Sequence, residues 1–138
     1  MGERLEYRGE KIVVTFDPDI CIAAGECVRG SRIVFPEGPR TTQPDAATPE
    51  EISTIIRRCP SGALKYDRLD GVDNEEPDEG VRIFVQKGGP YHVRGDITIT
   101  DHRGNVLRKD TRMALCRCGQ SNNKPFCDGT HNTIRFDG

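Results

Sequence analysis

Apolar positions along the chain fall into two periods. "KIVVTF" (Lys11–Phe16) and "LKY" (Leu64–Tyr66) are short runs of β-branched and aromatic residues, and both predict strands. Between them, "TPEEISTIIRRC" (Thr48–Cys59) places Ile52, Ile55 and Ile56 at helical spacing. Thr48 is the expected N-cap, Pro49 suits the first turn, and Glu51 completes a capping box. Pro60 and Gly62 should stop the helix at Cys59. Past residue 80 the period returns to two. "VRIFVQ", "YHVRG" and "DITIT" predict strands, with "DHRGNV" (Asp101–Val106) as a hairpin turn. A small antiparallel sheet should therefore precede Cys116.

The two patterned halves flank "RLDGVDNEEPDEG" (Arg68–Gly80), which is acidic and nearly devoid of apolar residues. It reads as an exposed connector, with Glu75, Glu76, Asp78 and Glu79 as a solvated charge run. The expected class is α+β: a small α/β module over residues 1–68, an acidic linker over 69–80 and a small β-rich module over 81–138.

Composition narrows the function. The chain has 138 residues, 34% of them hydrophobic, with no Trp, nine Pro and fifteen Gly. Modules of roughly 60–70 residues have thin cores and usually need a staple. A net charge of −2 offers no basic surface for nucleic acid or an anionic membrane. No apolar run approaches the roughly 20 residues of a membrane helix. "MGERLEYRGEK" lacks a signal-peptide core, and Leu5 and Glu6 argue against reading Met1-Gly2 as an acylation site. The expected location is the cytoplasm. Thiols stay reduced there, so six cysteines point to metal and not to disulfides. Three precede the connector (Cys21, Cys27, Cys59) and three follow it (Cys116, Cys118, Cys127), which suggests one site per module.

"CRCGQSNNKPFCDGTH" (Cys116–His131) concentrates three Cys and one His in sixteen residues. Cys116 and Cys118 are two apart, so in an extended segment they point the same way. Cys127 and His131 are four apart, which suits one face of a helical turn. Asp128 can cap free N–H groups there, and Pro125 stiffens the approach to Cys127. Gly119, Ser121, Asn122 and Asn123 can turn the loop back and offer N–H donors to sulfur. Spacing alone leaves three readings open: a [2Fe–2S] cluster, a zinc knuckle, or buried thiols with a surface histidine.

The same run resembles the CDGSH iron–sulfur family, whose pattern is C-x-C-x2-[ST]-x3-P-x-C-D-G-[STA]-H. Cys116, Cys118, Ser121, Pro125, Cys127, Asp128, Gly129 and His131 occupy its defined positions, with Thr130 at the variable small one. "GGPYHVRGDITITD" and "ALCRCG" extend the similarity to roughly Val81–Phe136. The resemblance implies a [2Fe–2S] cluster held by Cys116, Cys118, Cys127 and His131. Better-known NEET-type relatives are homodimers and others are tandem-motif monomers, so a homodimer is one expectation for this single-motif chain. A neutral imidazole leaves the cluster less negative than four thiolates would. All-Cys plant-type clusters lie near about −400 mV and two-His Rieske centres at roughly −150 to +300 mV, so one His should give an intermediate potential. Protons also compete for imidazole, which makes it an exchangeable ligand.

"DPDICIAAGECVRG" and "RRCPSGALKY" carry Cys21, Cys27 and Cys59-Pro60. Their spacing resembles a bacterial single-cluster ferredoxin with the second cysteine replaced by Ala24. "CVRG" and "RCPSGAL" are similar to the divergent mono-cluster ferredoxin domain often fused to CDGSH modules. That family often has His two residues after the first Cys, where this chain has Ala23. The resemblance implies a ferredoxin-like first module. Three thiolates suit a [3Fe–4S] cluster. A [4Fe–4S] cluster completed by Glu26, Asp19, water or an exogenous ligand is the alternative, and buried structural thiols are the third reading.

His92 and His102 read as solvated residues. No P-loop, Rossmann fingerprint or Ser/His/Asp constellation has supporting context, so no enzymatic activity is expected. The expected function is one-electron transfer with a redox partner protein. The alternatives are a redox or cluster-status sensor, a [2Fe–2S] donor to an apo-acceptor, and a zinc-stapled binding module.

Overall fold

The computed structural model describes residues 4–22 and 24–138. Met1, Gly2 and Ala23, which entered the reading of the N-terminus and of the first cysteine motif, lie outside them. The architecture is mixed and mostly β: two three-stranded antiparallel sheets with three short α-helices among the described residues. The chain separates into two compact units, Met1–Cys59 with Ala63–Glu75, and Pro60–Gly62 with Glu76–Gly138.

In the first unit, β1 (Leu5–Arg8), β2 (Ile12–Phe16) and β3 (Leu64–Arg68) pair in the order β1-β2-β3. Leu5 faces Phe16 and Val14 faces Tyr66 across the sheet. Helix α1 spans Glu26–Gly30 and α2 spans Pro49–Ile56. The Thr48 hydroxyl accepts from Glu51 N at 3.2 Å, so the expected N-cap forms. The Glu51 carboxylate makes no return bond, so the expected capping box is only half made. Regular helix ends at Ile56, three residues before Cys59. Arg58 N and Cys59 N bond the carbonyls of Ile55 and Ile56, a tightening common in a last turn. Ile52 and Ile56 are wholly buried against Ile12, Val14, Phe35 and Leu64, which form the core. Burying such a side chain contributes about 1.5–3 kcal/mol.

The second unit holds β4 (Arg82–Val85), β5 (Tyr91–Thr100) and β6 (Val106–Leu115), paired in that order. "YHVRG" and "DITIT" are one continuous strand. Its register shifts between Arg94 and Ile97, where Gly95 adopts a φ of 136°. A side chain there would also meet the carbonyl of Gly80, so a bulge at glycine lets the strand run through. The expected hairpin turn is present. Asp101 carboxylate oxygens accept from Arg103 N, Asn105 N and Asn105 Nδ2 at 2.8–3.0 Å. Val93, Ile97 and Met113 make a small core, flanked by Ile99, Leu115 and Phe126. No helix among the described residues is long and apolar enough to cross a membrane.

Candidate metal centres

The second cysteine set begins where β6 ends. Residues 125–127 return antiparallel to 114–116: Cys127 N bonds Ala114 O and Cys116 N bonds Pro125 O, both at 2.8 Å. A β-bridge links Leu115 to Phe126. This pairing carries Cys127 back beside Cys116 and Cys118. The loop between is held from inside. Ser121 Oγ donates to Phe126 O at 2.6 Å and accepts from Asn123 N at 3.0 Å. Gly119, at a φ of 84°, lets the chain leave Cys118 in the left-handed region.

Asp128 then sets up the final turn. Its carboxylate accepts from Asn122 N at 2.9 Å and from Thr130 N at 3.0 Å, tying the loop to the start of α3 (Thr130–Thr133). Gly129 is left-handed at a φ of 88°. The outcome is a buried pair: Cys127 Sγ lies 3.3 Å from His131 Nδ1. A sulfur and an imidazole nitrogen on one tetrahedral metal are separated by about 3.6 Å, from metal–ligand lengths near 2.3 and 2.0–2.1 Å. The observed pair approaches that edge.

The electrostatics suit metal ligation. Burial pushes the Cys127 thiol up, and nearby Asp128, Cys116 and Cys118 add to this against a hydrogen bond from Gly129 N. Such a site relaxes when a cation joins the sulfurs. Burial opposes ionisation of Cys116 as well. There the N–H groups of Ser121 and Gly119, the Cys118 thiol and the Lys124 charge prevail and lower it. Gly129 N approaches Cys127 Sγ at 3.4 Å and Gln120 N approaches Cys118 Sγ at 3.5 Å. Burial holds His131 below the usual 6.5, against the opposing pull of Asp128, so its ring is neutral near pH 7 and has a lone pair for a metal. Three thiols and a neutral imidazole, with N–H donors at all three sulfurs, fit an iron–sulfur cluster.

In the first unit, Cys21, Cys27 and Cys59 all pack on the same core cluster. They come from the segment before α1, from α1 itself and from the turn after α2. Burial raises the Cys27 thiol, and the charges of Cys59 and Cys21 raise it further, which places the three within electrostatic reach. Near Ala24, Arg29 donates to the Ala24 carbonyl at 2.6 Å and to Glu26 Oε1 at 2.7 Å. Glu26, one of the expected alternative ligands, is thus held by a guanidinium. Among the described residues, no three His, Cys, Asp or Glu side chains converge as a single metal ion would require.

His102 is exposed, as expected. His92 is not a solvated residue: it is half-buried, and its Nε2 lies 2.6 Å from Gln86 Oε1. Arg117, between two candidate ligands, carried no expectation. It donates to Gly89 O and Gln86 O, both at 2.9 Å, and stacks over Phe136 at 4.8 Å. It thereby ties the Cys116–Cys118 segment to the β4–β5 turn and the C-terminal tail. Only its alternation with the two cysteines could have hinted at this.

Comparison with known proteins gives one family for each half. Residues 88–132 match the family described as iron-binding zinc finger CDGSH type. Residues 7–69 match the family described as divergent 4Fe-4S mono-cluster. "Uncharacterized protein YjdI" of Escherichia coli K12 is 43% identical over 61 residues, which is 44% of this chain and 80% of that protein. The protein of the same name from E. coli O157:H7 matches equally.

Proposed function

The chain belongs to the divergent 4Fe-4S mono-cluster family through its first half and to the CDGSH-type iron-binding family through its second, and on that premise we propose that it carries two different clusters and transfers single electrons. In this reading Cys116, Cys118, Cys127 and His131 hold a [2Fe–2S] cluster. Cys21, Cys27 and Cys59 hold a [3Fe–4S] cluster, in a ferredoxin-like module over residues 1–68. Residues 81–138 form the second module, and 69–80 join the two; of these bounds, Pro60–Gly62 group with the second compact unit, 69–75 with the first and 76–80 with the second. The three-stranded sheet with α2 packed in its core, and three thiols against that core, support the ferredoxin-like assignment.

When bound, such clusters supply centres that accept and return one electron. The protein's own groups set the conditions. Neutral His131 brings no charge, whereas a thiolate there would bring one more negative charge. Gln120 N and Gly129 N point toward ligand sulfurs and favour added negative charge on them. Cys127 and His131 are buried, which keeps water from that side, while Cys116 and Cys118 are half-buried.

The observation that carries this reading is the buried Cys127–His131 pair at 3.3 Å beside Cys116 and Cys118. Anaerobic EPR, as isolated and after dithionite, tests it. A [3Fe–4S] signal should be present before reduction and a [2Fe–2S] signal after it. A colourless protein containing zinc would contradict the reading. Transfer of the [2Fe–2S] cluster to an apo-acceptor is the second reading, supported by the partial exposure of Cys116 and Cys118 and the exchangeable imidazole. Reduction by a reductase partner without loss of cluster favours the first reading over the second.

A further inference from the structure

Strands β4 and β5 carry a second built feature on the sheet face opposite the small core. Arg82 and Arg94 are direct cross-strand partners, and so are Phe84 and His92 two residues along. Strand alternation puts all four on one face, while Val93 between them turns into the core. Two like charges directly opposite each other destabilise a sheet. Four other arginines of this chain are neutralised by carboxylates. Arg4, Arg29, Arg68 and Arg108 each reach a carboxylate. Among the described residues, no acidic side chain pairs with Arg82 or Arg94, in a chain with 22 Asp and Glu.

The space between these side chains is a cavity of about 280 Å³, lined by Pro60, Arg82, Phe84, His92 and Arg94, all of the second unit. That volume lies just below the usual range for small-molecule sites, which starts at about 300 Å³, and suits a ligand of one ring. Its floor is aromatic. The Phe84 and His92 rings lie 5.8 Å apart at 50°, and Gln86 fixes the His92 ring. Phe84 remains 60% exposed, so much of its apolar ring has no cover. Burial first, and then the charge of Arg94, disfavours a proton on His92.

Paired guanidiniums select carboxylate or phosphate, and an uncovered ring beside them selects a flat apolar body. We propose that this cleft binds a small aromatic anion, its acidic group on Arg82 and Arg94 and its ring against Phe84 and His92. The assignment goes beyond the cluster reading and does not depend on it.

Calorimetry with phenyl phosphate on the full chain tests it, with inorganic phosphate and phenol as controls. The expected result is one site per chain, with phenyl phosphate about tenfold or more tighter than either control. Arg82→Glu with Arg94→Glu should weaken phenyl phosphate by about tenfold or more, because the new carboxylates repel it. Phe84→Ala should remove most of its advantage over inorganic phosphate. Arg82→Lys with Arg94→Lys keeps the charge and should retain part of the affinity, which separates lost recognition from lost folding. Absence of saturable binding, equal affinity for all three probes, or binding that survives the double charge reversal would overturn the proposal. Binding is read whether or not the protein carries iron, so failure here and failure of the cluster reading are distinguishable.

Discussion

Cys127 Sγ and His131 Nδ1 meet at 3.3 Å inside the second unit, four residues apart across the start of α3. Their approach rests on two devices, the return of residues 125–127 along the end of β6 and the Asp128 carboxylate that caps the turn. A metal on this pair competes with a proton for the imidazole. Burial places His131 below 6.5, so its neutral form is favoured in the fold, and that contribution is lost as pH falls through the lowered value. Visible absorbance of the [2Fe–2S] chromophore should therefore decay faster as pH drops from about 7 toward about 5. His131→Cys should slow the acid decay and lower the reduction potential, because a thiolate adds negative charge. The Cys21→Ser background removes the other chromophore, and equal decay rates in the two proteins would show that His131 is not the labile ligand.

Ser121 is the hinge pin of the ligand loop, bonded to Phe126 O and Asn123 N. Ser121→Ala should remove both bonds to these half-buried groups and cost about 1 kcal/mol. Differential scanning calorimetry should show a lower transition, and bound iron should be lost sooner to a chelator. Unchanged chelation kinetics would mean that the loop is held by the backbone pairing alone.

Ala24 leaves the first set with three thiols, and Arg29 holds Glu26 by a 2.7 Å ion pair. The as-isolated protein should show a three-iron EPR signal, and Ala24→Cys should convert it to a four-iron centre. Mössbauer spectra that show four irons in the wild-type first module would contradict the three-thiol account.

The first unit's stability should respond to its helix in two graded steps. Thr48→Ala removes the cap on Glu51 N and should cost about 1 kcal/mol. Ile52→Ala removes a wholly buried side chain and should cost about 2–5 kcal/mol. Urea unfolding of the full chain measures both, and a cap effect equal to the core effect would contradict this division.

Much of this was legible in the sequence because the signals are local. The Thr48-Pro49 start, the Asp101 turn and the Cys127–His131 spacing each depend on neighbours within a few residues. Strand β1 was not, because its four residues offer only two apolar positions, Leu5 and Tyr7, too few to establish a period. Helix α1 is five residues long and opens at a left-handed Gly25, too short to show a period. The end of α2 came three residues early because Pro60 marks a limit, not the last turn. Arg117, His92 and the Leu115–Phe126 bridge act across the fold, so no local pattern announces them.

The central claim is that Cys116, Cys118, Cys127 and His131 hold a [2Fe–2S] cluster. Metal and sulfide analysis of the Cys21→Ser, Cys27→Ser, Cys59→Ser triple variant isolates that site in the full chain. The account predicts about two irons and about two acid-labile sulfides per chain, both lost on Cys118→Ser. About one zinc per chain with no labile sulfide would contradict it.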